Sequence, residues 1–305
     1  MITTLKDTTS AQIQNAITKA RQSVGAASGM VFTLLAIPAA DEYDDVFDAC
    51  VEAGREHPSR IIIATDGSTR TERLDAELHI GDEIPGEVIA LKFHGELMHH
   101  KTSAMLPLLL PDSPVIAWWP SAAPVSVSED RIGQLAVRRI TDAMGCADPL
   151  ATLLARAEHL APGDTDLTWT RLTPWRAMLA SALDHHQGTV LSGRVTAAEN
   201  NAAGLLMAAW LRSRLHVPVE FDADGGPGVT GVTLTTAEGD ISVQRPDGKM
   251  AEFTAPRTPP RSIALRRRDI SALLTEELRR LDTDAVFLES MAWLASDVRP
   301  EGATP

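Results

Sequence analysis

Histidines are the first candidates for chemistry in this sequence. His94, His99 and His100 lie close together, with Glu96 between them. Metal ligands on one helix need a spacing of about three or four residues to share a face. His94 and His99 are five apart, and the adjacent pair His99 and His100 points in different directions, which favours a surface or helix-packing role. We therefore expect no metal and no other cofactor.

Other catalytic signatures are incomplete. The run LSGR at 191–194 lacks the leading glycine of a nucleophile elbow. The run GGPG at 225–228 is interrupted by proline and precedes no predicted helix, so it indicates a hairpin turn and not a phosphate cradle. The carboxylates at 41–45 stand at a predicted helix start, where the helix dipole favours negative charge. These patterns give no recognisable catalytic constellation, which agrees with a protein that is not an enzyme.

Tryptophan and arginine, which dominate the energetics of protein interfaces, form the candidate partner-binding set. Trp118 and Trp119 end a predicted buried strand, where successive side chains face opposite ways. Trp175 lies with Arg171 and Arg176 in the segment DLTWTRLTPWR. The sequence leaves two interpretations open, because these indoles either contact a partner or fill a junction between domains.

Arginines at predicted strand starts are candidates for an anion site. Arg60 follows Pro58 at the start of one strand, and Arg138 and Arg139 begin another. Arginine presents a fork of N–H donors that matches phosphate, although a solvated surface charge is the favoured interpretation here. The densest basic cluster is 266–268, which we interpret as a solvated face beside Asp269.

Charge and hydropathy restrict the class of protein. The net charge is −13, with 41 acidic against 28 basic residues. A nucleic-acid partner is not expected, because its binding needs Lys and Arg to displace counterions. No apolar run approaches the roughly 20 residues of a membrane helix, and the N-terminal segment lacks the apolar core of a signal peptide. We expect a cytoplasmic protein with no membrane partner.

Hydrophobic periodicity predicts an α/β fold of two domains. Alternating strands and helices over 1–163 predict a doubly wound, mostly parallel sheet. Helices followed by short strands with glycine turns predict a smaller α+β domain over 164–298, and 299–305 is expected to be a loose tail. The alternating strand 74–80 is expected nearer an edge of the sheet. The predicted strands are 31–37, 60–65, 74–80, 87–93, 115–119, 138–142, 189–195, 217–221, 229–235, 241–245, 250–254 and 262–265, and the predicted helices are 9–27, 41–56, 94–109, 130–137, 149–160, 173–184, 199–215, 269–281 and 284–295.

Segments along nearly the whole chain resemble the OpcA family, and most closely its actinobacterial members. In chain order they are EHPSRIII, LKFHG, PLLLPDSPVIAWWP, RRITD, DLTWTRLTPWR, AAWLRSRL and TEELRRLD. The resemblance implies a non-catalytic assembly factor or allosteric regulator. It would bind glucose-6-phosphate dehydrogenase and promote its active oligomer in the oxidative pentose phosphate pathway, and so support NADPH supply.

Two alternative hypotheses remain open beside a regulator of the dehydrogenase. The crevice of a doubly wound domain suits a sugar phosphate, which Arg60, Arg138 or Arg139 would clamp in an enzyme or sensor. A scaffold that forms only its own oligomer is a third hypothesis.

Cyanobacterial members of the family are associated with redox control through cysteines. Here Cys50 and Cys146 form no CxxC motif, which argues against a zinc site built on cysteine. They are the only cysteines, each in or at the start of a predicted helix, which argues against a thiol switch. A disulfide between them stays open, but packing as small apolar side chains is favoured.

Overall fold

The computed structural model describes residues 1–24, 29–81, 84, 86–185 and 188–298. The chain forms two compact units. The first unit comprises Met1–Thr141 with Asp269–Thr283, and the second comprises Asp142–Arg268 with the segment from Asp284 onward. The domain boundary near residue 163 stays a prediction, and the expected tail at 299–305 lies outside the described residues.

The elements alternate in the first half of the chain and segregate in the second. In chain order they are β1 (Ile2–Leu5), α1 (Ser10–Val24), β2 (Thr33–Ala36), α2 (Tyr43–Glu56), β3 (Ser59–Asp66), β4 (Arg73–Ile80), β5 (Gly86–His94), α3 (Lys101–Met105), β6 (Val115–Trp118), β7 (Arg138–Thr141), α4 (Pro149–Glu158), β8 (Asp164–Asp166), α5 (Leu167–Arg171), α6 (Thr173–His185), β9 (Val190–Ala197), α7 (Ala202–Leu215), β10 (Val219–Ala223), β11 (Val229–Thr236), β12 (Gly239–Gln244), β13 (Met250–Ala255), β14 (Thr258–Ala264), α8 (Ile270–Glu277) and α9 (Ala285–Val298).

The first unit contains a mostly parallel sheet in the order β1-β4-β5-β3-β2-β6-β7. The pairs β3–β5, β2–β3, β2–β6 and β6–β7 are parallel, and β4–β5 and β1–β4 are antiparallel. In β3, Ile61, Ile62 and Ile63 are all fully buried, which shows that both faces of the sheet are covered. The predicted doubly wound, mostly parallel sheet is confirmed.

Strand β4 lies second from an edge of the sheet, as expected, and the unpredicted β1 pairs with its outer side. Two local predictions in the first unit are wrong. The helix expected over 94–109 is reduced to α3 with 3-10 turns on either side, since Pro107 has no N–H for an α-helical bond. The helix expected over 130–137 is a single 3-10 turn, because the Asp130 carboxylate accepts the backbone N–H of Ile132 at 2.8 Å and forms a local turn.

The second unit is α+β, as predicted. Its sheet has the order β10-β9-β11-β12-β13-β14, in which only β10 and β9 are parallel. A hairpin joins β12 to β13, and the Asp247 carboxylate accepts the backbone N–H groups of Lys249 and Met250 at 2.8 and 3.0 Å to close its turn. The hairpin turn predicted at 225–228 is wrong, because the flanking strands β10 and β11 are separated in the sheet by β9. Helix α7 is the central helix of the core, with Leu206 and Met207 fully buried. The short elements β8 and α5 had no predicted counterpart.

Both cysteines are free thiols, and the packing predicted for Cys50 is confirmed. Cys50 is fully buried in α2, and burial raises the pKa of its thiol well above the usual range. A thiol is nucleophilic only as the thiolate, so Cys50 is chemically inert in the folded state. Cys146 is partly buried. Within the described ranges, none of the helices is long and apolar enough to cross a bilayer.

Candidate functional site

The two tryptophans that end β6 are core residues of the first unit. Trp118 and Trp119 are 0% and 2% exposed. Trp119 packs with Leu108 and Ile132 in the hydrophobic core, and Trp118 faces the other side of the sheet, as strand alternation requires. Neither indole is accessible to a partner in this conformation. Burial leaves these two indoles without the exposed surface that the predicted partner contact needs, and both pack in the interior of the unit.

Arg60 is paired inside the first unit and has no free fork for a phosphate. Its Nε and Nη2 donate to a carboxylate oxygen of Glu87 at 3.0 and 2.8 Å, and its Nη1 donates to the carbonyl of Leu108 at 2.6 Å. Arg21 donates to the same carboxylate through Nε and Nη2. The anion that Arg60 binds is therefore the buried Glu87, which corrects the suggestion of an external phosphate.

Arg138 and Arg139 are likewise held by the protein. Arg138 donates through Nη2 to Glu277 and through Nη1 to the carbonyl of Asp282 at 2.7 Å. Arg139 is 8% exposed, and its Nη1 donates to the carbonyl of Ala136 at 2.9 Å. Both residues begin β7, as predicted, but the Nη groups named above serve internal acceptors. A phosphate clamp at these positions is not supported.

The histidines do not form a metal centre. His94 is buried, and its Nδ1 accepts the backbone N–H of Ser68 at 2.9 Å while Nε2 lies 3.5 Å from a carboxylate oxygen of Asp75. His99 and His100 are exposed. In the part of the chain that the structure describes, no three potential metal ligands come together. His94 is a packed structural residue.

The remaining predicted residues come together in the second unit. Arg171 forms a two-pronged ion pair with Asp142, with Nη1 and Nη2 at 2.7 and 2.8 Å from its two carboxylate oxygens. Arg176 stacks on Trp169, with 3.5 Å between its guanidinium carbon and the ring centroid. Trp175 is 2% exposed. The segment DLTWTRLTPWR thus folds on itself, and its ion pair ties it to the end of the segment RRITD.

A cavity of about 310 Å³ opens beside this segment within the second unit. Its apolar wall includes Met144, Leu172 and Leu265, and its polar wall is formed almost entirely by guanidinium groups. Among the described residues that line it, none is acidic. The arginines are Arg171, Arg245, Arg266, Arg267 and Arg268. An acidic chain has therefore concentrated basic side chains in one concave site.

Arg245 is the buried cation of this cavity. It is 5% exposed, and its Nη1 and Nη2 each donate at 2.8 Å, to the carbonyls of Leu265 and Val229. Its guanidinium carbon lies 5.0 Å from the ring centroid of Trp175. Burial lowers the pKa of Arg245, and the charge of Arg267 lowers it further. The direct contacts of this buried cation are carbonyls and an aromatic ring, and the charge of Asp247 compensates it only in part, so the site stays electropositive.

Arg266 and Arg267 are exposed, as the solvated-face interpretation predicted, but they also line the cavity. Neither forms an ion pair or hydrogen bond with the described part of the chain. Gly228 has a φ of +80°, and a Cβ there would overlap the Arg267 guanidinium, so this glycine makes room for that side chain. The triplet was visible in the sequence, but its approach to Arg245 depends on the pairing of β12, β13 and β14.

Asp142 belongs to a pair of buried carboxylates beside the cavity. It is 2% exposed, and burial raises its pKa to about 6, against the opposing charge of Arg171 and with the added repulsion of Asp166. Asp166 accepts Nη1 of Arg156 at 2.6 Å and the backbone N–H of Ala143 at 3.1 Å. Each carboxylate is thus paired with an arginine, and the pKa of Asp142 is raised to about 6.

We predict a pH dependence of stability from Asp142. Its pKa is higher in the folded than in the unfolded chain, so the folded state binds more protons between about pH 4 and about pH 6. The contribution of this group to the free energy of unfolding should therefore fall by about 3 kcal/mol as the pH rises across that window. Urea unfolding of the wild type and of Asp142→Asn at several pH values measures the difference. A difference that stays constant across the window contradicts the assignment.

Sequence comparisons match both halves of the chain. The model described as the glucose-6-phosphate dehydrogenase subunit N-terminal domain matches residues 50–158, and the one described as the C-terminal domain of that subunit matches residues 162–291. A Synechocystis protein named as a putative OxPP cycle protein OpcA is 25% identical over 193 residues, or 56% of this chain. The aligned part spans 40% of the length of that relative.

Solved structures show only weak similarity. The 3-ketoreductase KijD10 from Actinomadura kijaniata is 10% identical with a TM-score of 0.49, over 87% of this chain and 95% of that chain. An oxidoreductase from Sinorhizobium meliloti is 9% identical with a TM-score of 0.41, over 88% of each chain. Likenesses this weak say nothing about activity. The family models, in contrast, cover most of the 305 residues, and the chain belongs to the OpcA family of glucose-6-phosphate dehydrogenase subunits.

Proposed function

We propose that this chain binds glucose-6-phosphate dehydrogenase and promotes its active oligomer, without catalysing a reaction itself. The observation that carries the proposal is the match of both halves of the chain to domains described as subunits of that dehydrogenase. A partner that binds only the assembled enzyme shifts the assembly equilibrium by mass action. The cytoplasmic location expected from the sequence stays a prediction.

The switch point of the first sheet supports a non-catalytic role. In doubly wound folds, ligands bind where neighbouring strands lead in opposite directions, which here is at the carboxyl ends of β2 and β6. The Glu42 carboxylate occupies this place, because it accepts the Ser121 hydroxyl at 2.8 Å and the backbone N–H of Ala39 at 2.9 Å. A negative charge at the start of α2 repels the phosphate that such a crevice would otherwise hold.

A second cavity of the first unit is also unsuited to a sugar phosphate. It measures about 300 Å³ and is lined by four carboxylates against two lysines. The carboxylates are Asp41, Asp44, Asp75 and Glu77, and the lysines are Lys6 and Lys92. One of these lysines is already committed, since Lys6 pairs with Asp75 at 3.3 Å. These charges argue against the hypothesis of a sugar-phosphate enzyme or sensor in this domain.

Mixing the purified chain with purified glucose-6-phosphate dehydrogenase tests the proposal. We expect the two proteins to co-elute in size-exclusion chromatography with light scattering, and the rate of NADPH formation to rise with the chain concentration until it saturates. At about 100 times its dissociation constant, the chain should favour the assembled enzyme by about 2.7 kcal/mol.

Two controls make the result specific. The chain alone should form no NADPH, and heat-unfolded chain should leave the dehydrogenase unchanged. Separate elution together with an unchanged rate at saturating chain would refute the proposal. Activity in the chain alone would refute the non-catalytic part of it.

A further inference from the structure

We propose that the arginine-lined cavity of the second unit binds the phosphate group of a small metabolite. This inference goes beyond contact with the dehydrogenase, because it concerns a ligand of the chain itself. It rests on the geometry of Arg245, Arg266 and Arg267, which no sequence comparison assigned to a role. The cavity would thus make the chain responsive to a phosphorylated compound.

The charge balance of the cavity selects an anion. Arg171 is neutralised by Asp142, and Arg268 donates to the carbonyl of Thr170. Arg245, Arg266 and Arg267 have no carboxylate within ion-pairing distance among the residues described here. Their combined charge is available to a ligand, and guanidinium forks bind phosphate oxygens through strong charge-assisted hydrogen bonds.

The carboxylate of Asp247 offsets this charge only in part. Its charge acts to raise the pKa of Arg245, but burial and the charge of Arg267 outweigh it and lower the pKa overall. The Asp247 oxygen itself accepts the backbone N–H groups of Lys249 and Met250 in the β12–β13 turn. The adjacent surface depression again contains Arg266 and Arg267, together with Lys249. The positive region therefore extends from the cavity to the surface, where it can attract an anion from solution.

Helix α7 adds to the positive potential at the cavity wall. Ala203 lies in its first turn and lines the cavity. The side chain of Asn201 accepts the backbone N–H of Gly204 at 2.9 Å, while the first-turn N–H of Ala203 has no acceptor within the helix. The partial positive charge of a helix N-terminus favours anions, and here it points to the same site as the arginines.

Size and lining indicate a small organic phosphate. A volume of about 310 Å³ is at the lower end of the roughly 300–1,000 Å³ typical of ligand sites, so it suits a small metabolite and not a dinucleotide. Trp175 and Leu172 supply an apolar wall for the body of the ligand. A docked protein segment would bury a larger area than one such cavity offers.

Calorimetric titration of the full chain alone tests the site. The probes are glucose 6-phosphate, inorganic phosphate and free glucose, each at low salt. We expect glucose 6-phosphate to bind, free glucose to give no signal, and the double variant Arg266→Ala/Arg267→Ala to weaken binding at least about tenfold. Equal affinity for inorganic phosphate would mean that the anion alone is recognised, and tighter binding of the ester would mean that the sugar also contributes.

The matched control is Arg257→Ala/Arg261→Ala, because it also removes two arginine charges, from exposed positions outside this cavity. Its binding should stay within about twofold of the wild type. Unfolding curves should be unchanged for all variants, since these side chains are exposed.

Absence of binding, or equal loss in the control, overturns the proposal. If the double variant loses only co-elution with the dehydrogenase while phosphate binding stays intact, the arginines dock a protein and the proposal is wrong. Because the titration uses the chain alone, its outcome does not depend on the assembly function.

Discussion

Replacing Glu87 by glutamine is expected to destabilise the first unit by about 3–5 kcal/mol. The Glu87 side chain is fully buried and is the shared acceptor for Arg21 and Arg60. Removing its charge leaves the guanidinium of Arg60, whose side chain is 8% exposed, without a counter-charge in a low-dielectric interior. Urea unfolding measures the loss. Hydrogen exchange in peptides from β3 and β5 localises it.

The pH dependence of this site follows from the same contacts. Burial by itself raises the pKa of Glu87, but hydrogen bonds from Arg21 and the charges of both arginines outweigh it and lower the pKa below its ordinary value. The stabilisation is therefore present above the unfolded-state pKa of the carboxyl group and is lost as the pH falls through the folded-state value. This acid-side loss should disappear in Glu87→Gln.

Glu52→Gln is the matched control. This variant makes the same glutamate-to-glutamine change in an exposed ion pair. The side chain of Glu52 is 57% exposed and that of its partner Arg55 is 65% exposed. Such a pair is worth about 0–1 kcal/mol. Adding Arg60→Met to Glu87→Gln should recover part of the lost stability, because the unpaired cation is then removed. Equal effects of the two glutamine variants would contradict the assignment of Glu87 as a buried counter-ion.

Trp119→Ala is expected to cost about 3–5 kcal/mol of unfolding free energy, because it empties a large volume in the core of the first unit. The indole packs with Leu108 and Ile132 and is 2% exposed. Thermal and urea unfolding measure the effect, and co-elution with the dehydrogenase is recorded at a temperature where the variant remains folded. We expect the folded fraction to associate normally, since the ring is not accessible.

Trp293→Ala is the corresponding change at an accessible indole. Trp293 is 38% exposed on α9, so its removal should have a smaller effect on unfolding than that of Trp119. A loss of association here with little change in stability would identify a partner contact. If instead Trp119→Ala keeps its stability and loses association, the indole contacts the partner and its assignment to the core is wrong.

Local patterns predicted most of the elements, and the failures have local causes too. Buried strands such as β3 and β6 are short apolar runs bounded by turns, which sequence spacing indicates directly. Strand β1 was missed because Ile2–Leu5 is short and half polar and takes its strand conformation by pairing with β4. The 3-10 turns around α3 arise from proline and glycine positions that interrupt an otherwise helical period.

The sequence by itself determined the fold class and showed no recognisable catalytic motif. Through its family segments it also indicated the link to a dehydrogenase. Only the tertiary structure decided which arginines pair with a carboxylate. Arg60 and Arg138 pair with the buried carboxylates Glu87 and Glu277. Arg245 and Arg267 line the same cavity and have no carboxylate partner among the described residues. The reason is physical: the periodicity of a strand or helix fixes which way a side chain faces, but its charge partner comes from a distant segment that only folding brings near.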